Sequence, residues 1–276
     1  MTRPSASDRT AVVWEVLRGA LDQRARHTDR VGLEVLDAGG GTGTLAVPVA
    51  RLGHRVTVVD PSPNALFALE RRAAEAGVAD RVRGVQGDAR GLFDVAERGA
   101  YDAVLCHGVL EYVDDPAETV RNAVAALRPA GGTLSVLAAG LGGAVLGRAL
   151  AGHFTEARQA LTSPGGRWGG SDPMPRRFTP EQLSDLVGAT GADVVSVHGV
   201  RIFSDLVPGA LVDTEPDARE ALARLEATAA ELPAFRSVAS RLHVLAEIPA
   251  RPASPAHPAP PGETDGAGTG GGPREA

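Results

Sequence analysis

Short apolar runs alternate with amphipathic stretches along most of the chain. The apolar runs are rich in Val, Leu and Ala and have the length of buried strands, whereas the amphipathic stretches repeat their apolar residues with helical spacing. Strands that alternate with helices predict an α/β fold built on a doubly wound, mainly parallel sheet. The predicted strands are 33–36, 56–59, 82–85, 101–106, 133–138, 194–200 and 242–248.

Several predicted helices begin or end at residues with a known structural role. Ser62, Asp115 and Thr179 each offer a side-chain oxygen that can cap a helix N-terminus, and Gly53 and Gly77 follow the last turn of two others. Pro follows Thr179 at the first helical position, where its missing N–H costs nothing. The predicted helices are 8–26, 44–52, 63–76, 116–127, one that begins after Thr179, and 216–232.

Two segments depart from this alternation. Residues 140–178 contain many Gly and Pro and one amphipathic piece at 146–161, so we expect a mobile helical insertion over the active site. Residues 249–276 consist largely of Pro, Ala, Gly and acids, which predicts a disordered tail. The expected organisation is one domain, 1–248, followed by this tail.

Composition limits the classes of function. The net charge of -6 argues against broad nonspecific binding to nucleic acid, although it allows a local basic patch. All 28 basic residues are Arg, so any contact with an anion must come from Arg, His or backbone N–H groups.

The compartment is expected to be the cytoplasm. Cys106 is the single cysteine, which excludes an internal disulfide, and it is expected to be a core residue rather than a nucleophile. The first residues lack the apolar core of a signal peptide, and the longest apolar run, 133–146, is too short and too rich in Gly to span a membrane. We therefore expect no membrane partner.

The most informative motif is a glycine-rich loop that follows the first predicted strand. Asp37 is followed by Gly39, Gly40, Gly41 and Gly43, and a predicted helix comes next. Glycines at these positions let the backbone bend and approach a nucleotide-like ligand closely. The spacing fits an adenosylmethionine loop, but the same residues also match the GxGxxA pattern of dinucleotide folds. The loop alone leaves these two ligands open, and a ligand-free turn is the less favoured interpretation.

Acids follow the next two strands. Asp60 ends the second strand, about 20 residues after the glycine-rich loop. A carboxylate at this place can accept hydrogen bonds from both ribose hydroxyls. A helix N-cap or a solvated loop acid is the alternative for Asp60, but its position after the glycine loop favours ribose binding. Asp88, Ala89 and Arg90 follow the third strand, and either an adenine contact or an ordinary loop acid fits that place.

His107 follows the fourth strand and can line the ligand crevice, although a packed histidine is the simpler interpretation. Glu111 lies four residues further on, but no third ligand is near, so we expect no metal site.

Together these residues, with the turn at 128–132, resemble the motif series of class I S-adenosylmethionine-dependent methyltransferases. A closer resemblance, over about 9–245, is to bacterial tRNA carboxymethoxyuridine methyltransferases, carried by the segments 35–41, 107–112, 151–154, 199–203 and 225–226. The resemblance implies a Rossmann-like fold with a helical insertion after strand five, and S-adenosylmethionine as the cofactor. The resemblance implies cofactor contacts at Arg9, Gly39, Gly40, Asp60, Ala89, Arg90 and His107. The motifs described above add Asp37, Gly41, Gly43 and Asp88 to the predicted cofactor site.

The acceptor stays open between tRNA and a small molecule such as a natural product or a quinone precursor. The family's lysine-rich run in the insertion is absent here, while Arg176 and Arg177 are present. Arg201, with Arg176 or Arg177, is predicted to orient a carboxylate or phosphate of the acceptor, and a structural salt bridge is the alternative for Arg201. No catalytic base is identified. A protein that binds the cofactor without catalysis is a third hypothesis.

Overall fold

The computed structural model describes residues 11–28, 30–213 and 217–250. Its centre is a seven-stranded sheet in which β1 to β5 run parallel, and β7 runs antiparallel between β5 and β6. The strand order is β3-β2-β1-β4-β5-β7-β6, so the predicted doubly wound, mainly parallel sheet is confirmed. The strands are β1 (Glu34–Ala38), β2 (Arg55–Asp60), β3 (Val82–Gln86), β4 (Ala103–His107), β5 (Gly132–Ala139), β6 (Asp193–Val200) and β7 (Arg241–Ile248).

Helices cover both faces of this sheet. Three predicted caps are confirmed, because the side chains of Ser62, Asp115 and Thr179 accept hydrogen bonds from the backbone N–H groups of the first helical turn. The helices are α1 (Ala11–Thr28), α2 (Ala46–Arg51), α3 (Pro63–Glu75), α4 (Pro116–Ala126), α5 (Leu141–Leu150), α6 (Phe154–Thr162), α7 (Pro180–Gly188), α8 (Gly209–Asp213), α9 (Ala218–Ala229) and α10 (Pro233–Arg236). None of these helices in the described ranges is long and apolar enough to cross a membrane.

The segment after β5 is more regular than its composition predicts. The apolar run that begins at 133 continues past the strand as helix α5, and α6 follows, so the insertion is helical as expected. A Cβ on Gly143 would lie 2.5 Å from the backbone of Ser240, so this glycine allows α5 to pack closely on the chain before β7. Such a glycine serves packing, and composition alone cannot distinguish it from a glycine that loosens a loop.

Alternation along the strands divides the core into two clusters. Leu36, Val104 and Leu134 belong to the cluster on one face, whereas Val35 and Leu105 pack with α1 on the other. Residues that share the face of Leu105 therefore lie under α1. The carboxyl edge, where β1, β2, β3 and β4 all end, carries the loops that the sequence marks as functional.

Candidate functional site

The glycine loop connects β1 to α2 at the carboxyl edge. Gly39, Gly41 and Gly43 have φ of 80°, 56° and 76°, a region that side chains rarely adopt. The N–H of Gly39 donates to the carbonyl of Val59 at 2.7 Å, which fixes the loop to the end of β2. A Cβ on Gly40 would collide with the carboxylate of Asp37. The positive φ angles and the close packing against Asp37 explain why glycine occupies these positions.

A cavity of about 190 Å³ lies between this loop, α1 and the ends of β4 and β5. Its lining includes two ionisable side chains, Asp37 and His107, among apolar residues. A largely apolar lining with a few converging polar groups is typical of a small-molecule or cofactor site. The remaining lining residues are Val13, Gly39, Gly40, Thr44, Leu45 and Leu137.

Asp37 is only 2% exposed. Burial raises the pKa of its carboxyl group to about 7, and repulsion from the Asp60 carboxylate adds to this effect. A cation in the cavity would favour the ionised form, so Asp37 is suited to receive an ammonium group.

Asp60 lies at the end of β2 and holds two loops together. Its Oδ2 accepts a hydrogen bond from the N–H of Gly41 and its Oδ1 accepts one from the N–H of Ser62, both at 2.9 Å. Each carboxylate oxygen can accept a further hydrogen bond, so this geometry orients the carboxylate without using its full capacity.

Asp88, Ala89 and Arg90 form the turn after β3, next to Asp60 in strand order. Asp88 accepts a hydrogen bond from the backbone N–H of Arg90 at 2.9 Å, which is the main reason why the pKa of Asp88 is lowered. The Arg90 guanidinium also pairs with Asp114 at 2.8 Å. This exposed turn lies on the β2 side of the cavity, away from β4.

His107 is the last residue of β4 and forms part of a buried polar row with three other residues. Its Nε2 lies 2.8 Å from the Ser135 hydroxyl, and that hydroxyl lies 2.9 Å from Nε2 of His243. The ring of His198 stacks on His243 at 5.6 Å. Burial, helped by the charge of Arg241, lowers the pKa of His107 to about 4, so its ring is neutral near pH 7. We call His107, Ser135, His243 and His198 the histidine row.

Glu111 pairs with an arginine that the sequence analysis missed. Its Oε1 accepts hydrogen bonds from the backbone N–H of Ala139 at 2.8 Å and from Nη1 of Arg241 at 2.9 Å. Glu111 is thus an anchor for the end of β5 and the start of β7. Across the described residues, no group of three or more His, Cys, Asp or Glu is arranged to hold a metal ion.

Cys106 is buried, and burial raises the pKa of its thiol to about 12. The thiol is therefore protonated near neutral pH, as expected for a core residue.

The three arginines predicted to bind the acceptor are engaged by the protein. Arg176 donates to the carbonyls of Leu110, Val113 and Asp114, while Arg177 is 5% exposed and pairs with Asp172. Arg176 therefore connects the insertion to the loop after β4, and Arg177 connects two parts of the insertion to each other.

Arg201 follows β6 at the carboxyl edge but does not line the cavity beside His107. It adopts a φ of 59°, and its guanidinium pairs with Asp205. These contacts favour the salt-bridge interpretation. Arg9, also predicted to bind the cofactor, lies outside the described residues.

Comparisons with known proteins agree with this arrangement. A family model described as a methyltransferase domain matches residues 36–134. The tRNA 5-carboxymethoxyuridine methyltransferase of Escherichia coli (strain K12) is 29% identical over 241 residues, which cover 87% of this chain and 88% of the relative. The ubiquinone biosynthesis O-methyltransferase of Methylobacterium nodulans is 35% identical over 168 residues, which cover 61% of this chain and 63% of that protein.

A solved structure shows the same fold. The magnesium protoporphyrin IX methyltransferase of Synechocystis PCC 6803, crystallised with S-adenosylhomocysteine, superposes with a TM-score of 0.54 at 14% identity, covering 90% of this chain and 89% of that one. The chain contains a methyltransferase domain and has the class I methyltransferase fold, and it is an S-adenosylmethionine-dependent methyltransferase. The cavity fits the amino-acid part of this cofactor, because Asp37 and His107 line it. The Nδ1 atom of His107 is buried and has no recorded partner among the described residues, so it is available to a ligand.

Proposed function

We propose that this enzyme methylates a carboxylate on a modified tRNA uridine, the acceptor named for the Escherichia coli relative. The observation that carries the proposal is the extent of the similarity, 87% of this chain and 88% of the relative. The family model ends at residue 134, whereas this similarity continues through the insertion and the last strands, which lie outside the shared methyltransferase domain. Acceptor specificity resides in such additions more than in the common fold.

We propose the following roles for the residues of the site. Asp60 accepts hydrogen bonds from the ribose hydroxyls, and the turn at Asp88, Ala89 and Arg90 contacts the adenine. β3 lies on one side of β2, and β1 and β4 lie on the other. A cofactor whose ribose is at Asp60 and whose adenine is at the turn after β3 therefore has its amino-acid end over Asp37 and His107. Support comes from the strand order, the oriented carboxylate of Asp60 and the polar groups in the cavity.

S-adenosylmethionine supplies, when bound, a methyl group on a sulfonium that needs no further activation. The protein must align the acceptor and exclude water, and positioning of this kind can lower a barrier by roughly 7–11 kcal/mol. Of the two ionisable residues that line the cavity, His107 is a weak base because its pKa is about 4, and we assign Asp37, whose pKa is about 7, to the ammonium group of the cofactor. A carboxylate acceptor is already ionised near pH 7 and requires none.

Arg241 is the arginine best placed to bind such a carboxylate. Its charge acts on His107 at the cavity, and its side chain is 28% exposed. Glu111 is its one recorded side-chain partner within the described residues, so its planar guanidinium has further N–H donors that no recorded partner uses. A guanidinium anchored on one side by a buried acid offers its other side to an anion in a fixed orientation.

Nucleoside analysis tests the proposal directly. The purified enzyme is incubated with S-adenosylmethionine and tRNA from a strain that lacks this methyl transfer, and digested nucleosides are analysed by mass spectrometry. We expect the methyl ester of 5-carboxymethoxyuridine. The matched control is tRNA from a strain that does not make the carboxymethoxy group, which should gain no methyl group at this position.

A quinone precursor is the second candidate, because the ubiquinone biosynthesis relative is more similar in sequence over its shorter alignment. A hydroxylated quinone precursor is assayed in parallel under the same conditions. Methylation of this precursor with unchanged tRNA would overturn the tRNA assignment.

A further inference from the structure

The Ser135 hydroxyl connects a partly buried histidine, His107, to a buried one, His243, and thereby couples their proton positions. Its Oγ contacts Nε2 of His107 at 2.8 Å and Nε2 of His243 at 2.9 Å, and these are its recorded side-chain partners within the described residues. A hydroxyl has one proton to donate. If both histidines donated to it, the Ser135 proton would be buried without an acceptor, which is costly. One histidine therefore donates to Ser135, and Ser135 donates to the other.

The unpaired atoms of the row decide the direction of these hydrogen bonds. Nδ1 of His243 is buried and has no partner in the described structure. An unpaired N–H is rarer in buried positions than an unpaired acceptor, so Nδ1 of His243 is the unprotonated nitrogen. His243 then carries its proton on Nε2 and donates it to Ser135, whose own proton is donated to Nε2 of His107. This leaves the proton of the neutral His107 ring on Nδ1.

The stacked ring of His198 is consistent with the same rule. Its Nδ1 is also buried without a recorded partner, while its Nε2 lies 3.7 Å from a carboxylate oxygen of Glu231. A proton on Nε2 would point towards that acid. His107 differs from His243, because His107 lines the cavity beside Asp37, where a bound molecule can supply an acceptor for its Nδ1–H. His198 lines a separate cavity of about 250 Å³, and its Nε2 already lies near Glu231.

We propose that His243, acting through the hydroxyl of Ser135, fixes His107 as the Nδ1–H tautomer and makes it a hydrogen-bond donor to the carboxylate of the cofactor's amino-acid end. Ser135 and His243 are positioning residues in this arrangement. The carboxylate is the anionic group of the cofactor, and a charged acceptor forms the stronger hydrogen bond with an N–H donor. The strand order places β4, which carries His107, on the side of β1 away from Asp60 and Asp88.

The tautomer can be observed in the apo protein by NMR. Long-range proton–nitrogen spectra of the full chain with ¹⁵N-labelled histidine distinguish a protonated Nδ1 from a protonated Nε2, and His107→Gln identifies the resonances of that ring. We expect Nδ1–H in the wild type and Nε2–H for His107 in Ser135→Ala. A wild-type His107 protonated on Nε2 would overturn the proposal, whether or not Ser135→Ala folds.

Ligand affinity tests the role towards the cofactor. S-adenosylhomocysteine carries the amino-acid end, and 5′-methylthioadenosine lacks it. Calorimetry should show that Ser135→Ala binds S-adenosylhomocysteine about tenfold more weakly, the amount expected for one hydrogen bond to a charged group. Its affinity for 5′-methylthioadenosine should be unchanged. His243→Gln retains an N–H donor and should keep more of the affinity than His243→Leu.

His198→Gln is the matched control, since His198 packs on His243 without a recorded hydrogen bond to Ser135. We expect it to leave both affinities unchanged. An equal loss of affinity for both ligands in Ser135→Ala would show a general disturbance of the cavity and would refute the carboxylate contact.

Discussion

Arg241 donates a hydrogen bond from Nη1 to Oε1 of Glu111 at 2.9 Å, although 130 positions separate the two residues in sequence. Glu111 is fully buried, and burial raises the pKa of its carboxyl group, while the charge of Arg241 opposes that increase. The pair joins the loop after β4 to the first residue of β7 beside the cavity. It therefore places a fixed positive charge next to His107.

Replacing Arg241 should weaken acceptor binding more than cofactor binding. We expect Arg241→Gln to raise the KM for the carboxylate acceptor at least about tenfold, because a hydrogen-bonded charge pair is lost. The affinity for S-adenosylhomocysteine should fall by a smaller factor, because only the charge near His107 is lost. Arg241→Lys keeps the charge but not the planar arrangement of donors, so its acceptor KM should lie between those of the wild type and Arg241→Gln. Steady-state kinetics and calorimetry make the comparison, and an unchanged KM in Arg241→Gln would remove Arg241 from the acceptor site.

Asp37 should make stability depend on pH. A carboxyl group whose pKa is raised on folding, here from 3.8 to about 7, binds its proton more tightly in the folded state. Its contribution to the free energy of unfolding therefore falls as pH rises from about 4 to about 7. Asp37→Asn carries no such charge, so its stability relative to the wild type should increase over this range, by at most about 4 kcal/mol.

Urea unfolding at about pH 4 and about pH 8 measures this difference. Asp80→Asn is the control, because the Asp80 side chain is 75% exposed and should show no comparable change. We also expect Asp37→Asn to bind S-adenosylhomocysteine more weakly, since the amide cannot compensate an ammonium charge. Equal pH dependence in wild type and Asp37→Asn would mean that Asp37 titrates normally.

Local signals explain which parts of the fold were predictable. Ser62, Asp115 and Thr179 cap helices through bonds to residues three positions away, so each helix start could be predicted from a few neighbouring residues. The glycine loop is local in the same sense. Gly143 shows the limit, because the close contact with Ser240 that requires it depends on chain folded back from far along the sequence.

The residues around the site were less predictable for the same reason. Arg241 and His243 lie at the start of the last strand, and the sheet order β5-β7-β6 alone brings them to His107 and Glu111. Helix periodicity and loop motifs contain no information about such contacts. Arg201 was predictable as a polar residue at a strand end, but its pairing with Asp205 could not be distinguished from acceptor binding without coordinates.

Asp60 should matter for cofactor affinity and only modestly for folding. Asp60→Ala removes both the proposed ribose contact and two hydrogen bonds to backbone N–H groups, so we expect a loss of affinity of about tenfold or more and a moderate loss of stability. Asp60→Asn keeps one oxygen acceptor and should show smaller losses in each. Calorimetry with S-adenosylhomocysteine and thermal unfolding test the two effects separately; affinity preserved in Asp60→Ala would exclude the ribose role.

The backbone of Arg201 gives a test that separates conformation from charge. A φ of 59° is costly for residues other than Gly, so Arg201→Gly should be more stable than Arg201→Ala by about 1 kcal/mol. Both substitutions remove the pair with Asp205 equally. We expect the acceptor KM to be the same in both and close to that of the wild type, whereas an equal, large increase in both would return Arg201 to the acceptor site.

The pair of Arg177 and Asp172 should stabilise the insertion rather than bind the acceptor. The Asp172 side chain is fully buried and accepts two hydrogen bonds from Arg177, at 2.7 and 3.0 Å, as well as one from the backbone N–H of Trp168. Arg177→Met leaves this acid buried without its partner, so we expect a loss of about 3–5 kcal/mol in the free energy of unfolding. Adding Asp172→Asn removes the uncompensated charge and should recover part of that loss.

Proteolysis provides the local readout for this pair. Cleavage within residues 140–178 should become faster in Arg177→Met, and slower again in the double variant, while S-adenosylhomocysteine affinity stays constant. The insertion borders the carboxyl edge, so loosening it should also lower kcat through poorer exclusion of water. If Arg177→Met instead raised the acceptor KM with unchanged stability and unchanged cleavage, the guanidinium would be a substrate contact and the buried pair would have no structural role.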